Sequence, residues 1–243
     1  MFGADIPNGY KHLMDPFVSL AVASAATSTL LLGTGVSMVL EHDVLDLACR
    51  VATLDVLTGG RVRFGVGVGW LPEELHNHRP DVTFRSRYSA TAERLRALRT
   101  AWTDDEAEFA GKWDRYDRSW VFPKPIQQPL PVAFGSSGLV GMRIAAELAD
   151  EWHPVDVALG QFGGIAEGIA VFRRLVADAG RDPDSVPITM YAWGWEPGQP
   201  AVDTIARYED YGVARVVVCP STMERHSADV TMRRLDEFAS LTA

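Results

Sequence analysis

Short apolar runs and amphipathic stretches alternate along most of the chain, and this alternation predicts strands and helices in turn. In the amphipathic stretch after Asp43, for example, Val44, Leu47 and Val51 recur at helical spacing. Apolar runs bounded by glycine or polar residues predict six strands, near residues 30, 61, 131, 151, 187 and 214. Because the alternation covers the whole chain, we expect one α/β domain, residues 1–243, built on a parallel sheet.

Capping residues mark several predicted helix ends. Asp15 and Pro16 indicate a helix start, with proline at the first helical position, and Asp43 is a typical N-cap. Gly59 and Gly60 indicate where the helix after Asp43 ends. Further helices are predicted over 88–102, 139–149, 161–179 and 202–211, and near the C-terminus through Val230, Leu235, Phe238 and Leu241. We expect residues 1–14, 71–87 and 103–130 to be irregular.

Glycines cluster where two of the predicted strands end. The segments "LLLGTGV" (30–36) and "RVRFGVGVG" (61–69) contain these residues, which are Gly33, Gly35, Gly65, Gly67 and Gly69. Glycine weakens a strand unless another backbone or a ligand must come close. Since α/β folds carry their sites at the carboxyl ends of parallel strands, we expect a ligand across these two ends. The GxGxG spacing differs from the GxGxxG of dinucleotide-binding folds, which disfavours a Rossmann fold.

Composition narrows the classes of function. The formal net charge of −9 argues against a nucleic-acid partner. Cys49 and Cys219 lie in apolar surroundings, so we expect buried free thiols and a cytoplasmic location. No stretch has the length and composition of a spanning segment or a signal peptide, and no membrane partner is expected. His76 and His78 lack a third ligand nearby, so we expect no metal site.

Four segments resemble the luciferase-like monooxygenase family, especially its branch that uses the deazaflavin coenzyme F420. They are "LLLGTGV", "ATLDVLTGGRVRFGVGVGW", "FPKPIQQPLPVAFGSS" and "LADEWHPV", in the order found in the family. The resemblance covers most of residues 15–160 and implies a TIM-type (β/α)8 barrel that holds a flavin or deazaflavin at its mouth. The cofactor is then coenzyme F420, with FMN as the alternative.

The N-terminal region departs from this family. Relatives have a strand, a helix and a second strand before the segment that begins here near Asp15, and residues 1–14 are too few to form them. We therefore expect a barrel that is incomplete at its N-terminus, with about six strands. The catalytic residues stay unknown, since His12, His42 and the two loop histidines do not match the family's histidine motif. Exposed parallel edges favour association, so we expect a homo-oligomer.

The resemblance assigns cofactor contacts to the first strand end and to the turn after the second glycine-rich strand. Thr34, Gly35 and Val36 match the place where relatives support the cofactor ring with an unusual cis peptide, here the Gly35–Val36 bond. Ordinary packing of a glycine-containing strand end is the alternative. Gly69 and Trp70 open the mouth. Glu73 or Glu74 either faces the substrate or belongs to a solvated helical turn.

Two later strand ends complete the predicted site. Gly135, Ser136, Ser137 and Gly138 join a strand to a helix, where backbone N–H groups and hydroxyls suit a phosphate. The matching family segment holds the cofactor phosphate, and ordinary serine capping is the alternative. His153 follows another strand and either contacts the substrate or is a half-buried structural histidine.

Three functions stay open at this point. The first is hydride transfer between coenzyme F420 and a small organic substrate. The second is an FMN-dependent luciferase-like monooxygenase. The third is a non-catalytic, truncated barrel that binds a cofactor or a partner.

Overall fold

Helices and strands alternate along the described part of the chain, as the sequence predicts. The computed structural model describes residues 13–193 and 201–218 and five single positions, Asp229, Met232, Arg233, Asp236 and Ala239. Residues 1–12, which the sequence predicts to be irregular, lie outside the described residues, as do Cys219 and the apolar residues of the predicted C-terminal helix. No helix in the described ranges is long and apolar enough to cross a bilayer.

Seven α-helices and nine strands make up the described ranges. The helices are α1 (Pro16–Ala25), α2 (Val44–Thr58), α3 (Pro72–His78), α4 (Arg87–Thr103), α5 (Leu139–Leu148), α6 (Ile165–Asp178) and α7 (Ala201–Asp210). The strands are β1 (Leu32–Gly33), β2 (Ser37–Met38), β3 (Val62–Gly67), β4 (Ala107–Ala110), β5 (Arg115–Ser119), β6 (Val132–Gly135), β7 (Glu151–His153), β8 (Thr189–Ala192) and β9 (Arg215–Val218). Short 3-10 helices span Val39–Glu41, Phe84–Ser86 and Asp156–Phe162.

The parallel strands form one continuous series, which confirms the predicted α/β class. β1 and β2 both pair with β3, β3 pairs with β6, and β6 pairs with β7. Single parallel bridges, Trp152 to Ile188 and Val155 to Tyr191, connect β7 to β8, which pairs with β9. The six predicted strands are therefore present, and the first of them is divided into β1 and β2.

Side chains that alternate along the strands separate a helix-covered face from an inner face. Phe64, Phe134 and Trp152 are almost completely buried, and Trp152 stacks on Phe172 of α6 with ring centroids 4.1 Å apart. Because successive side chains of a strand point to opposite faces, Gly65, Gly135 and the residues flanking Trp152 lie on the inner face. This inner face carries the candidate site.

The predicted helix ends are confirmed by their capping contacts. The Asp43 carboxylate accepts hydrogen bonds from the N–H groups of Leu45 and Asp46, at 2.9 and 3.0 Å. Gly59 ends α2 in the left-handed region, with φ 67°. Asp15 caps α1 through the N–H of Val18, at 2.8 Å. These signals are local, which is why the sequence predicts them well.

Two elements contradict the predicted loops. Residues 71–87 include α3, and residues 103–130 include the antiparallel hairpin of β4 and β5. The hairpin is held by a buried ion pair between Arg94 and Asp114, at 2.7 Å, which sequence patterning does not reveal. The prediction that Cys49 is buried was also wrong: it is half-buried, and its Sγ lies 3.5 Å from the carbonyl oxygen of Phe122.

Candidate functional site

The segment Thr34–Val36, between β1 and β2, crosses the inner face of β3. The Thr34 hydroxyl donates a hydrogen bond to the carbonyl oxygen of Gly65, at 2.8 Å. A Cβ atom on Gly65 would overlap the carbonyl oxygen of Thr34 and lie 2.5 Å from that of Gly35. Glycine is therefore required at position 65 because a second backbone segment comes close. A close backbone and a close ligand were the two explanations that the sequence allowed.

Val36 covers the next two glycines on the inner face. A Cβ atom on Gly67 would lie 3.0 Å from the Val36 Cβ, and one on Gly135 would overlap Val36 Cγ1. Val36 itself is 45% exposed, although its neighbours on β3 are buried. Because Gly67 and Gly135 have no side chains, Val36 packs closely against the strand ends. The exposed part of Val36 presents an apolar surface to solvent.

The expectation of a cis peptide at Gly35–Val36 was wrong. The cis bonds in the described ranges are Phe122–Pro123 and Gln128–Pro129. A cis bond without proline costs about 3–4 kcal/mol, so it needs surroundings that enforce it. Here the Gly35–Val36 bond is trans. The Thr34 hydrogen bond holds the segment against β3, and the missing side chain of Gly65 leaves room for its backbone.

The turn from Gly135 to Gly138 leads into α5, and the N-terminus of this helix has no side-chain cap. Gly138 is the N-cap residue, with φ −88° and ψ 153°, and no side chain accepts from the first N–H groups of the helix. A Cβ atom on Gly138 would have nothing within 4 Å. An uncapped helix N-terminus beside open space is a good place for an anion, since the free N–H groups and the helix dipole both favour negative charge.

The two serines of this turn have different surroundings. The Ser137 hydroxyl accepts from the N–H of Val155, at 2.9 Å, and so ties the turn to the chain after β7. The Ser136 side chain lies over Gly141 on the first turn of α5, where a Cβ atom would overlap it. Ser136 is therefore the better placed of the two hydroxyls for a group bound at this helix end.

Gly69 and Trp70 follow β3 and are half-buried beside the start of α4. The Arg87 Nε donates to the carbonyl oxygen of Gly69 at 3.1 Å, and the Arg87 guanidinium stacks over the ring of Phe84, 3.8 Å from its centroid. The ring of the next residue, Tyr88, would lie 3.2 Å from a Cβ atom on Gly141 of α5. The start of α4 thus joins the Gly69 turn to the N-terminus of α5.

Glu73 and Glu74 are exposed in the first turn of α3. Burial of Glu41, together with the negative charge of Glu74, raises the pKa of Glu41 to about 7. The charge of Glu74 therefore affects the protonation of Glu41. The structure gives Glu73 no specific role.

His153, at the end of β7, is buried on the inner face. Its Nε2 lies 3.3 Å from Oε1 of Glu151, and its ring centroid is 5.4 Å from that of Tyr191. The Tyr191 hydroxyl in turn lies 3.4 Å from the position of a Cβ atom on Gly35. Burial, together with the charge of Glu151, raises the pKa of Tyr191 to about 12, which keeps its hydroxyl protonated.

The structure brings most of the predicted site residues to one end of the parallel strands. Gly135 is the sheet partner of His153, and the Thr34–Val36 segment lies against both Gly135 and Tyr191. Sequence reasoning missed Tyr191 and Glu151. Polar residues at alternate positions of apolar strands were the available signal, since that spacing places them together on the face away from the helices.

Comparison with known proteins identifies, over most of the chain, the same family that the sequence segments resemble. The family model described as luciferase-like monooxygenase matches residues 4–193. An uncharacterized protein of Mycobacterium tuberculosis is 35% identical over 246 residues, which is 99% of this chain and 80% of that protein.

Relatives with stated activities include F420-dependent dehydrogenases and an FMNH(2)-dependent monooxygenase. The F420-dependent hydroxymycolic acid dehydrogenase of Mycobacterium tuberculosis is 29% identical over 179 residues, 72% of this chain and 48% of that protein. The FMNH(2)-dependent dimethylsulfone monooxygenase of Pseudomonas putida is 33% identical over 107 residues, 44% of this chain and 30% of that protein. A solved F420-dependent secondary alcohol dehydrogenase superposes with a TM-score of 0.69 at 17% identity, over 84% of this chain and 78% of that one.

Proposed function

The chain belongs to the luciferase-like monooxygenase family, and from that premise we propose that it is an oxidoreductase that transfers a hydride between coenzyme F420 and a small organic substrate. Members of this family depend on flavins or deazaflavins, and the relatives with stated activities include F420-dependent dehydrogenases. The proposal is supported by the position of the candidate residues at the carboxyl ends of the parallel strands, where barrel enzymes carry their chemistry.

The observation that carries this proposal is the uncapped N-terminus of α5. A cofactor phosphate bound there would accept hydrogen bonds from the first N–H groups of the helix and from Ser136. Gly138 leaves the approach open, because a Cβ atom there would meet nothing within 4 Å. The residues at this helix end therefore fit a phosphate-bearing cofactor.

The ring of the cofactor would then lie over Val36. The exposed side of Val36 is apolar, and it adjoins the Gly135 end of the phosphate turn. We also propose Gly69 and Trp70, which follow β3 and are half-buried, as cofactor contacts. We propose that Thr34, Gly35 and Val36 support the ring from below, while the Gly135–Gly138 turn holds the phosphate.

The chemistry divides between cofactor and protein. When bound, the deazaflavin supplies or accepts the hydride, and the protein binds and orients the reacting groups. The buried His153 ring lies 5.4 Å from the ring of Tyr191, whose hydroxyl lies beside Gly35, so we propose that His153 contacts the substrate. We also propose Glu73 as a substrate contact. Because it is exposed on α3, it would contact only the outer, solvent-facing part of a substrate.

An FMN-dependent monooxygenase is the second candidate. It is favoured by the similarity to the FMNH(2)-dependent dimethylsulfone monooxygenase, which covers 44% of this chain. The same phosphate turn and ring surface would hold FMN, so the relative affinities for the two cofactors decide between the two functions.

Equilibrium titration tests the proposal. Coenzyme F420 and FMN are added separately to the purified protein, and binding is followed by quenching of fluorescence. We expect tighter binding of F420 and cofactor reduction or oxidation with a panel of alcohols and carbonyl compounds. Tighter FMN binding, with turnover that requires reduced FMN and oxygen, would assign the chain to the monooxygenases.

A further inference from the structure

A polar cluster lies on the inner face of β7, β8 and β9, next to the proposed substrate position; Glu151, His153 and Thr189 are buried, and Arg215 is exposed. Its centre is Glu151, whose carboxylate accepts hydrogen bonds from the hydroxyl of Thr189 and, at 2.8 Å, from Nη1 of Arg215. Burial raises the pKa of Glu151, but His153, Thr189 and Arg215 outweigh this effect and bring it to about 2. Glu151 is therefore a carboxylate at neutral pH.

The two ring nitrogens of His153 have different surroundings. Nε2 lies 3.3 Å from the Glu151 carboxylate, whereas Nδ1 is buried and has no hydrogen-bond partner among the residues that the structure describes. If Nε2 carried no proton, its lone pair would face the carboxylate and repel it. The neutral ring therefore has its proton on Nε2 and a lone pair on Nδ1.

We propose that Glu151 is a positioning residue that fixes this tautomer, so that Nδ1 of His153 accepts a hydrogen bond from a hydroxyl or N–H group of the substrate. The inference rests on the proposed function, because it takes His153 and Tyr191 to line the substrate position. A buried imidazole nitrogen without a partner destabilises the protein, and a substrate hydrogen bond removes that cost.

Tyr191 adds a complementary donor to this position. Its hydroxyl stays protonated and lies beside Gly35, while its ring adjoins that of His153. An acceptor on His153 and a donor on Tyr191 suit a group that both donates and accepts, as an alcohol hydroxyl does. The inferred substrate class is therefore an organic compound with a hydroxyl or N–H group at its reacting end.

The tautomer can be measured without any cofactor. The nitrogen resonances of His153 are recorded by NMR at about pH 8.5, above the ordinary pKa of imidazole, and are identified by their loss in His153→Gln. We expect the wild-type ring to carry its proton on Nε2, and Glu151→Gln to give a mixture of tautomers. A wild-type proton on Nδ1, or an unchanged ring in Glu151→Gln, would overturn the inference.

A control variant distinguishes two roles of Glu151: orienting the His153 ring, and holding β7 to β9 through its ion pair with Arg215. Arg215→Met breaks the ion pair between β9 and β7 but leaves Glu151 beside His153. We expect Arg215→Met to keep the wild-type tautomer and to lower turnover far less than Glu151→Gln. For Glu151→Gln we expect a loss of about 100-fold, the lower range of what a positioned proton acceptor contributes.

Turnover is measured with F420 and a panel of alcohols and the corresponding ketones. Equal losses in Glu151→Gln and Arg215→Met would mean that Glu151 only ties the strands together, which contradicts the inference. If wild-type protein binds neither F420 nor FMN, the proposed function fails, and the assignment of Nδ1 to a substrate fails with it. The tautomer measurement then still decides separately whether Glu151 orients His153.

Discussion

Thr34 and Gly65 are in direct contact across the boundary between β1 and β3. The Thr34 hydroxyl donates to the carbonyl oxygen of Gly65 at 2.8 Å, and the Thr34 carbonyl oxygen occupies the space that a Cβ atom on Gly65 would need. This contact turns the Thr34–Val36 segment across the strand ends. The position of Val36, and with it the proposed cofactor surface, follows from that contact.

Gly65→Ala is therefore expected to destabilise the fold. The added methyl group would overlap backbone rather than a movable side chain, and such overpacking costs about 1–3 kcal/mol. Urea unfolding followed by tryptophan fluorescence measures the change. Gly160→Ala is the matched control, because a Cβ atom there would meet nothing within 4 Å. Equal stability of the two variants would show that the segment can move away from β3 without cost.

Arg94→Met is expected to destabilise the protein by about 1.5–3 kcal/mol, since it removes two hydrogen bonds from the buried Asp114 carboxylate, which keeps its ion pair with Arg79 at 3.2 Å. Arg94 is 2% exposed and donates to both carboxylate oxygens of Asp114, at 2.7 Å each. Arg118→Met is the control, because its ion pair with Glu106 is exposed and such pairs contribute about 0–1 kcal/mol. Similar losses in both variants, measured by urea unfolding, would contradict a structural role for the buried pair.

The helix ends and the parallel arrangement of the strands could be predicted because their signals are local. Asp43 and Gly59 act within one turn of the helix that they bound, and strand–helix alternation implies a parallel sheet. The glycines of β3 also stand out in the sequence, but the sequence does not say whether a backbone or a ligand approaches them. The structure assigns Gly65 to the Thr34 backbone.

The Glu151 cluster could not be predicted in the same way. Glu151 and Arg215 are 64 positions apart, and the bridges from β7 to β8 and the pairing of β8 with β9 bring them together. The hairpin of β4 and β5 was missed for a similar reason, because Asp114 is held by Arg94 from another element. Contacts between distant positions leave no periodic pattern in a single sequence.

Glu41 gives the protein a pH-dependent stability. The pKa of Glu41 is about 7 in the folded state, above its ordinary value of 4.5, because of burial and the charge of Glu74. The folded state therefore holds this proton more tightly than the unfolded state, and the stabilisation is lost as the pH rises from about 4.5 to 7.

Glu41→Gln is accordingly expected to gain stability relative to wild type as the pH increases. Thermal melting at several pH values between about 4.5 and 8 measures the difference, and Glu73→Gln is the control from the same edge. The Glu41→Gln curve should diverge upward from wild type across this range, while Glu73→Gln runs parallel to it. A constant difference between Glu41→Gln and wild type would show that Glu41 does not titrate here.

The most direct test of the central claim, that a cofactor phosphate binds at the N-terminus of α5, compares Gly138→Asp with Gly138→Asn. Both side chains are good N-caps and fit the open space at Gly138, so both variants should melt at or above the wild-type temperature. Only the aspartate adds negative charge where the phosphate would lie, so Gly138→Asp should bind F420 at least about tenfold more weakly than Gly138→Asn. Equal affinity of the two folded variants, in the same fluorescence titration, would contradict the claim.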